Sequence, residues 1–360
     1  MQELQKRFPN NRVLIDVIGN PSVTVFIEKF YLDEVIDHAP HIPHPAFVVN
    51  GTELDGIYLS KFQNILKDGY ACSLPDIDPT THIDFDTALD CCAKKGSGFH
   101  LMTAMEWGAV ALLSQKNGWY PLGNNDMGKD IRESEITAKI TYYNEEKAIC
   151  RVATGSGPVT WSHNQKEDGI YDLNANVWEW SAGIRLVFGE LQVLPDNNAA
   201  SDLYSQSATS ADWRAIDAIS GEYLIPDQQG TTPNSVKLDF VNDTWQFVSA
   251  PLSDPQRRAR FCAFSKVSAH ESLGEKAKIL LLSLGILPLF ANPNCEGVAS
   301  FANNGAPERM LFRGGRWGQG YNAGIFKNCF DDPRTYAGDA VGFRMAYYEK
   351  PTPKSNITKV

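Results

Sequence analysis

The stretch from Leu311 to Tyr348 concentrates residue types that make adaptable non-covalent contacts. Tyrosine supplies rigid contact area, arginine charge-assisted hydrogen bonds and aspartate hydrogen-bond acceptors. The candidate binding residues in the middle of this stretch are Arg316, Gly318, Gln319, Tyr321, Lys327, Cys329, Asp331, Asp332, Tyr336, Gly338 and Asp339. Their spacing follows neither a helical nor a strand period, which predicts a loop that presents a recognition surface. The alternative for such a loop is a solvated connection without a role.

Both ends of this stretch have the patterns of strands. At the front, the run from Arg313 to Trp317 places two glycines beside an aromatic ring, which favours a strand closely approached by a neighbouring backbone. At the back, apolar and other residues alternate from Val341 to Tyr347, which predicts a closing strand with one buried face. We therefore expect rigid strands to hold the recognition loop at both ends.

Oxygen-bearing side chains before and within a tryptophan-rich run form a second candidate site. Asn174 and Asn176 precede Glu179, which lies between Trp178 and Trp180. Strand alternation places the two tryptophans on one face and Glu179 on the other. If Glu179 points inward, backbone donors, an arginine or a calcium ion must satisfy its charge. The residues alone leave these alternatives open.

Other metal and thiol patterns are weak. His38, His41 and His44 lie among three prolines without a second ligand type, which favours a linker over a metal site. The chain has 7 cysteines and no Cys-x-x-Cys pair, which fits a reduced, cytoplasmically made chain. The usual phosphate-loop, dinucleotide, zinc-protease and serine-hydrolase motifs are absent from the sequence, which argues against those chemistries.

Capping signals and apolar periods predict the elements that position these candidates. Two apolar runs around Gly19-Asn20-Pro21 predict an N-terminal hairpin. Asp84 is a predicted helix N-cap, and Thr103 with Glu106 predicts a capping box for a second helix. The pair Ser268-x-x-Glu271 predicts the start of a third helix in the same way.

These patterns divide the chain into an arm, a domain and a tail. Residues 1–44 are predicted to be a β-hairpin arm and linker, residues 45–350 the domain, and residues 351–360 a tail. Within the domain, residues of about 190–240 are polar and turn-rich, which predicts a surface insertion. Residues 311–348 form the predicted binding region.

Composition narrows the classes of partner. The 360 residues are 43% hydrophobic, enough for a substantial core, and carry a formal net charge of −10. The only dense basic run, from Arg257 to Arg260, is short, so binding to nucleic-acid phosphates is not expected. The N-terminus lacks the layout of a signal peptide, and the longest apolar run is too short to span a bilayer.

Five motifs in order carry a family resemblance. They are the helix from Phe85 to Cys92 and the stretches Phe99–Trp107, Tyr171–Trp180, Arg313–Trp317 and Gly342–Arg344. This arrangement resembles the formylglycine-generating-enzyme, or sulfatase-modifying-factor, branch of the C-type lectin fold over roughly residues 45 to 348. The resemblance implies an α+β fold of that type, with a short N-terminal β extension outside it. It also implies calcium at Asn174, Asn176 and Glu179, as an alternative to an arginine or backbone partner for the glutamate.

The enzyme branch of this family uses a cysteine pair shortly after its Arg-Gly-Gly-x-Trp strand to hold copper and activate oxygen. In this sequence the corresponding region offers Cys329 alone. A two-thiolate copper site requires two cysteines. The departure from the family pattern disfavours the oxidase, and we expect neither an enzyme nor a cofactor other than calcium.

A second branch fits the C-terminal motifs better. The order of Arg313–Trp317, Asn322–Phe326 and Val341–Arg344 is similar to the variable proteins of diversity-generating retroelements, many of which are phage tail receptor-binding proteins. In that family, adenines in a repeat are mutated, and most targeted codons are AAC. Most of the candidate residues, Cys329 included, are types that such codons reach. Gln319 and Lys327 would require other adenine-bearing codons.

The resemblance implies a non-catalytic protein with a hypervariable C-terminal surface that binds a cell-surface protein or glycan receptor. Self-association or multivalent display would raise its avidity. The alternatives are a structural phage tail or baseplate component of the same fold and, secondly, an oxidase of the formylglycine-generating type. We expect synthesis in a bacterial cytoplasm followed by display on a virion tail or cell surface. Nucleic-acid binding and membrane insertion are not expected.

Overall fold

The computed structural model describes residues 1–250, 256–290 and 297–350. The predicted tail, residues 351–360, and Cys295 lie outside the described residues. The α-helices of the described ranges are α1 (Gln2–Arg7), α2 (Phe85–Ala93), α3 (Ala104–Lys116) and α4 (Glu275–Ser283). The strands, in chain order, are β1 (Arg12–Ile15), β2 (Pro21–Glu28), β3 (Val48–Val49), β4 (Thr52–Glu53), β5 (Gly56–Ser60), β6 (Ile65–Lys67), β7 (Tyr70–Cys72), β8 (Phe99–Leu101), β9 (Ile140–Tyr143), β10 (Ile149–Val152), β11 (Trp178–Val187), β12 (Glu190–Val193), β13 (Arg214–Ile216), β14 (Tyr223–Leu224), β15 (Lys237–Val241), β16 (Thr244–Val248), β17 (Ala259–Ala263), β18 (Ser268–Ala269), β19 (Ala299–Asn303), β20 (Arg309–Gly314), β21 (Gly324–Phe330), β22 (Val341–Phe343) and β23 (Met345–Tyr347).

The larger sheet brings the C-terminal stretch against the tryptophan-rich run. Its strand order is β17-β19-β21-β20-β11-β12-β15-β16-β18. Strand β11 pairs with β20 in antiparallel register and with β22 in parallel register, so Glu179 lies opposite both Arg313 and Gly342. Three motifs that are far apart in the sequence thus meet on one strand. With helices packed on a large mixed sheet and a smaller antiparallel sheet, the class is α+β, as the sequence predicts.

The smaller sheet joins the N-terminal hairpin to the rest of the domain. Its order is β1-β2-β5-β23-β8, and β2 pairs with β5 along five consecutive residue pairs from Thr24 to Glu28. Val25 and Ile27 are buried in the main hydrophobic core. The hairpin itself is confirmed, but the boundary at residue 44 separates neighbouring strands of one sheet. Residues 1–44 are therefore part of the domain and not an arm beside it.

Two of the three predicted helix starts are confirmed. The Asp84 carboxylate accepts a hydrogen bond from the Thr87 amide at the start of α2. The Thr103 and Glu106 side chains form both bonds of the capping box of α3. The predicted start at Ser268 is wrong, because residues 268–269 form β18, and α4 begins after Gly274. Pairing of β18 with β16 outweighs the local capping preference.

The core lies where α3 and α4 pack on the larger sheet. Gly108 of α3 lies so close to the carbonyl of Ser283 that a Cβ at residue 108 would be 2.0 Å from that oxygen. The absence of a side chain at Gly108 lets the two helices approach each other. Trp107 is buried beside it and donates a hydrogen bond from its indole nitrogen to the Ile325 carbonyl at 2.7 Å.

The predicted surface insertion at about residues 190–240 is wrong in its placement. It contains strands β12 to β14 and the start of β15, which all belong to the larger sheet. Trp213 and Ile216 are fully buried. The polar composition of the segment reflects its turns, while a few apolar side chains place it in the core.

None of the helices in the described ranges is long and apolar enough to cross a membrane. The six described cysteines are buried, unpaired thiols.

Candidate ligand-binding surface

The centre of the framework is a buried ion pair between Arg344 and Glu179. Arg344 donates from Nε to Oε2 at 2.8 Å and from Nη2 to Oε1 at 2.9 Å, so the contact is bidentate. The remaining guanidinium donors bind the carbonyls of Ser60 and Tyr171 at 2.8 and 2.9 Å. Both side chains are almost completely enclosed. The arginine alternative for the charge of Glu179 is the one that the structure supports.

A buried amide network holds the loop before β11 in an unusual shape. Asp172, Ala175 and Asn176 have positive φ angles of 64°, 68° and 60°. Gln63 donates from its amide nitrogen to the carbonyls of Ala175 and Val177 and to Glu179. These bonds offset the cost of the left-handed backbone, which non-glycine residues rarely adopt.

The three residues suggested for calcium do not fit a shared cation. Glu179 already binds the positive guanidinium of Arg344. The Asn176 side-chain oxygen accepts from the Asn124 amide at 2.9 Å and from the Val152 backbone at 3.0 Å. Only the buried side-chain oxygen of Asn174 lacks a partner in the described residues. Calcium prefers several free oxygen ligands, and one is not enough.

The Arg313–Trp317 motif attaches the start of the recognition region to two parts of the core. The Arg313 guanidinium donates to the carbonyls of Leu284 and Gly285 at the C-terminal end of α4, where a cation is favourable. Its complete burial lowers the pKa of the guanidinium to about 9. Gly314 and Gly315 have φ angles of 82° and 100°, which only glycine adopts without strain. Trp317 then packs on Cys150 and Val177.

The first recognition loop, residues 315–323, is held through its backbone. The amides of Gly318 and Gly320 donate to the Asn125 carbonyl at 3.0 and 2.8 Å, and the Trp317 amide donates to the Asn176 carbonyl. The Gln319 side-chain oxygen accepts from the Arg316 amide at 3.1 Å. The side chains left at the surface are those of Arg316, Tyr321 and Asn322, and Tyr321 is 59% exposed. Gln319 is half-buried, and Gly318 is exposed.

The second recognition loop, residues 331–340, is held by Arg334. This side chain donates to both carboxylate oxygens of Glu308 at 2.7 and 3.0 Å and to Asp86 at 2.7 Å. It also binds the Gln206 carbonyl. Arg334 is therefore a framework residue that connects the loop to α2 and to the segment before β20.

Tyr336, Gly338 and Asp339 occupy the outer side of this loop. Tyr336 is 42% exposed, and its ring lies over Gly338, where an added Cβ would be 2.6 Å from the phenolic oxygen. Asp339 is exposed, while its backbone carbonyl accepts from Arg151 at 2.9 Å. A side chain at residue 338 would displace the tyrosine, so these two positions are coupled.

The segment between the two loops is a strand, which corrects the predicted continuous loop. Residues 324–330 form β21, and all seven are buried. Lys327 is 3% exposed and Cys329 is 7% exposed, so neither points freely outward as expected. Burial lowers the pKa of Lys327 to about 8 and raises the pKa of the Cys329 thiol to about 12. Pairing with β20 on one side and β19 on the other explains the strand.

The charged groups that influence the pKa of Tyr336 come from both recognition loops, which indicates that the two loops share one surface. Burial, followed by the carboxylates of Asp332 and Asp339, raises the pKa of Tyr336, and the charge of Arg316 opposes this shift. The same tyrosine is within electrostatic reach of Cys329. Asp331 and Asp332 are half-buried at the end of β21, and burial raises the pKa of each.

Aromatic residues outside the predicted set form the floor of this surface. Phe312 lies opposite both Cys329 and Trp180 in the sheet, and Phe301 lies opposite Cys329 from the other side. The ring centroid of Phe312 is 6.1 Å from that of Tyr336. Register between strands that are distant in the sequence sets these neighbours, so no local pattern identifies them. Trp178 is half-buried beside Phe312, with ring centroids 5.9 Å apart, whereas the sequence pattern places it only on a strand face.

Comparison with known proteins supports the predicted fold. Residues 27–185 match the family described as the sulfatase-modifying factor enzyme 1-like domain. This match confirms the resemblance to the formylglycine-generating-enzyme type of C-type lectin fold. The matched residues contain the first three of the five sequence motifs, whereas the recognition region lies beyond them. No curated protein matches the chain.

Two solved structures are similar to the chain along most of its length. One is the structure of PvdO from Pseudomonas aeruginosa, with 13% identity, 94% of this chain and 98% of that chain covered, and a TM-score of 0.34. The other is Treponema denticola variable protein 1, with 10% identity, 94% and 99% coverage, and a TM-score of 0.35. At these scores neither likeness bears on function.

Proposed function

We propose that this chain is a non-catalytic binding protein whose two recognition loops contact a receptor, and that a retroelement diversifies this surface. The observation that carries the proposal is the separation of exposed side chains from the bonds that hold the loops. Backbone amides and Arg334 attach the loops to the framework. Arg316, Tyr321 and Asp339 extend from them into solvent.

Substitution at these exposed positions would leave the framework unchanged. None of the three side chains belongs to a hydrophobic core cluster of the described residues. Surface changes away from caps, cores and buried pairs usually alter stability by less than about 0.5 kcal/mol. A fold with such positions can change its ligand while keeping its structure.

The buried candidates differ from the exposed ones. Any replacement of Lys327 or Cys329 must fit beside Trp178 or Phe312. We therefore expect the widest diversity in the two loops and a narrower range of side chains along β21. Tyr336 belongs to the variable group, but its freedom depends on residue 338.

The chemistry of Cys329 supports a role without catalysis. Metal ligation and nucleophilic attack both require the thiolate. With a pKa raised to about 12 by burial, this thiol is protonated at neutral pH. The copper chemistry of the enzyme branch also needs a second thiolate, which the region after Trp317 does not supply.

Display in several copies follows from the kind of surface proposed. Two short loops offer a small contact area, so a single site would bind weakly. Self-association or attachment to a virion tail or cell surface would raise the effective affinity by linkage. The partner of the proposed surface is a cell-surface protein or glycan.

Sequencing the C-terminal coding segment across a natural population tests this proposal. We expect variation at Arg316, Tyr321, Tyr336 and Asp339, with Trp317 unchanged. A reverse transcriptase gene and an adenine-rich near-copy of the segment should lie nearby in the DNA. An invariant segment without such neighbours would instead favour a fixed contact between subunits of a tail or baseplate.

A further inference from the structure

One end of the recognition surface carries positive charge without a compensating carboxylate. Lys327 is 3% exposed, yet it has neither a hydrogen-bond nor an ion-pair partner among the described residues. Its ammonium lies 5.5 Å from the centre of the Trp178 ring. Lysine is almost never buried without a partner, because removing its charge from water costs several kcal/mol.

The ammonium group of Lys327 borders the outside of the protein. Several side-chain nitrogen and oxygen atoms of the described residues are fully enclosed without a hydrogen-bond partner. The Lys327 nitrogen is not one of these fully enclosed atoms. Since Lys327 as a whole is 3% exposed, its stem is covered, and its nitrogen is largely buried but keeps a small accessible area.

Arg316 adds a second cation to the same end. Its guanidinium lies 5.7 Å from the Trp317 ring and has no carboxylate partner among the residues described. Trp178 packs against the cluster that contains Trp317, so each cation lies over an indole ring that belongs to this cluster or packs on it. The part of the surface that carries Asp331 and Asp332 is not left uncompensated in this way, because the charge of Arg309 offsets the charges of these two carboxylates.

The backbone around these cations offers little to a bound peptide. The amides of residues 317, 318 and 320 already donate to Asn125 and Asn176, and the Arg316 amide donates to Gln319. Strand β21 lies between β19 and β20, and all seven of its residues are buried, so it offers no exposed edge. Peptides that add to a protein surface as strands depend on free main-chain groups. Recognition here must instead use side chains, namely rings and cations.

We infer that the surface around Lys327, Trp178 and Arg316 binds an acidic sugar residue. Its oxyanion would contact the two cations, and its ring would lie against the half-buried ring of Trp178. This inference rests on the proposed function and adds the chemical class of the ligand. Burial of Lys327 without an acidic neighbour is the feature that a bound oxyanion would relieve, because it supplies the missing counter-charge.

The test is a titration in which NMR of the lysine side-chain methylene groups reports binding. Sialyllactose is the acidic probe, and lactose is its neutral counterpart. The Lys327 signal is identified by its absence in Lys327→Gln. We expect this signal to shift and saturate with sialyllactose and to stay in place with lactose. Lys327→Gln should weaken sialyllactose binding by roughly tenfold or more, the usual loss for a charge-assisted hydrogen bond.

Lys276→Gln is the matched control. Lys276 is an exposed lysine that pairs with Glu222 and lies outside the recognition loops. It should bind sialyllactose as the unmodified protein does. Equal responses to the two sugars, no response to sialyllactose, or equal losses in both variants would overturn the inference. A saturating response to an acidic tripeptide but not to sialyllactose would also overturn it, in favour of a peptide ligand.

Failure of the ligand class is distinguishable from failure of the proposed function. If the Lys327 signal does not respond while libraries randomised at the exposed loop residues Arg316, Tyr321, Tyr336 and Asp339 still yield specific binders, the surface binds ligands of another class. If the libraries yield no binders either, the proposed function fails as well.

Discussion

Arg344 and Glu179 form a bidentate ion pair in the interior, with nitrogen–oxygen distances of 2.8 and 2.9 Å. Arg344 follows the β22 strand, and Glu179 lies on β11, which pairs with β22. The pair therefore joins the end of the recognition region to the centre of the larger sheet. Two motifs that are 165 residues apart in the sequence meet in this contact.

Removing the charge of Glu179 tests the contribution of this pair. Glu179→Gln leaves the Arg344 guanidinium buried without a counter-charge, so we expect the free energy of unfolding to fall by roughly 3–5 kcal/mol. Urea unfolding measures the change. Glu349→Gln is the control, since Glu349 pairs with Arg12 at the exposed surface and should cost less than about 1 kcal/mol. Equal losses in the two variants would contradict this account of the framework.

Arg334 is expected to order the second recognition loop. Arg334→Ala removes its bonds to Glu308 and Asp86, so amide hydrogen exchange across residues 331–340 should become faster. Mass spectrometry of exchange in peptides locates the effect. Arg316→Ala serves as the control, because Arg316 lies in the recognition region without such bonds, and its exchange pattern should match that of the unmodified protein. Unchanged exchange in Arg334→Ala would show that other contacts hold the loop.

Cys329 should be unreactive in the folded protein. Burial raises the pKa of its thiol to about 12, so very little thiolate exists at pH 8, roughly one part in 10⁴. We expect no alkylation of Cys329 by iodoacetamide at that pH until the protein is unfolded. Thr335→Cys, an exposed position in the same region, should react readily and provides the comparison. Rapid labelling of Cys329, or tight binding of Cu(I) that depends on it, would revive the oxidase alternative.

Asp172 predicts a specific dependence of stability on pH. Burial raises the pKa of this carboxyl from 3.8 to about 6, against opposing contributions from the Gly155 amide and Arg344. Between about pH 4 and pH 6 the folded state keeps a proton that the unfolded state has lost. The contribution of Asp172 to stability therefore falls as pH rises through this window and is constant above it.

Replacing Asp172 with asparagine removes this effect. Asparagine tolerates the left-handed backbone at this position and keeps an oxygen for the Gly155 amide. We expect Asp172→Asn to raise the free energy of unfolding at pH 7 by roughly 2–3 kcal/mol and to change it little near pH 4. Urea unfolding at a series of pH values gives both numbers. A variant less stable than the parent at pH 7 would show that the charged carboxylate is favourable where it lies.

Local signals in the sequence predicted the elements but not their neighbours. Asp84 and Thr103 begin helices because the capping bonds involve residues only three positions away. The same reasoning failed at Ser268, where pairing with a strand about twenty residues earlier determines the structure. The N-terminal hairpin was predicted, but its place in the domain depends on β5 and β23, which no local pattern specifies.

The candidate site also combines features that local sequence signals predict with features that only the pairing of distant strands determines. The sequence predicted that Glu179 needs a partner, and the Gly342–Arg344 motif contained it, but only the sheet register brings the two together. Lys327 and Cys329 were expected to point outward because their residue types resemble those of a loop. Strand β21 buries them, since its neighbours β19 and β20 cover positions that composition alone leaves open.

The most direct test of the central claim is selection from a displayed library randomised at Arg316, Tyr321, Tyr336 and Asp339. A matched library randomises four buried framework residues, Arg313, Trp317, Glu179 and Arg344. We expect most members of the first library to fold and some to bind each of several unrelated proteins or glycans specifically. The framework library should lose folded display. If the first library folds poorly, or folds without yielding binders to any target, these loops are not a recognition surface.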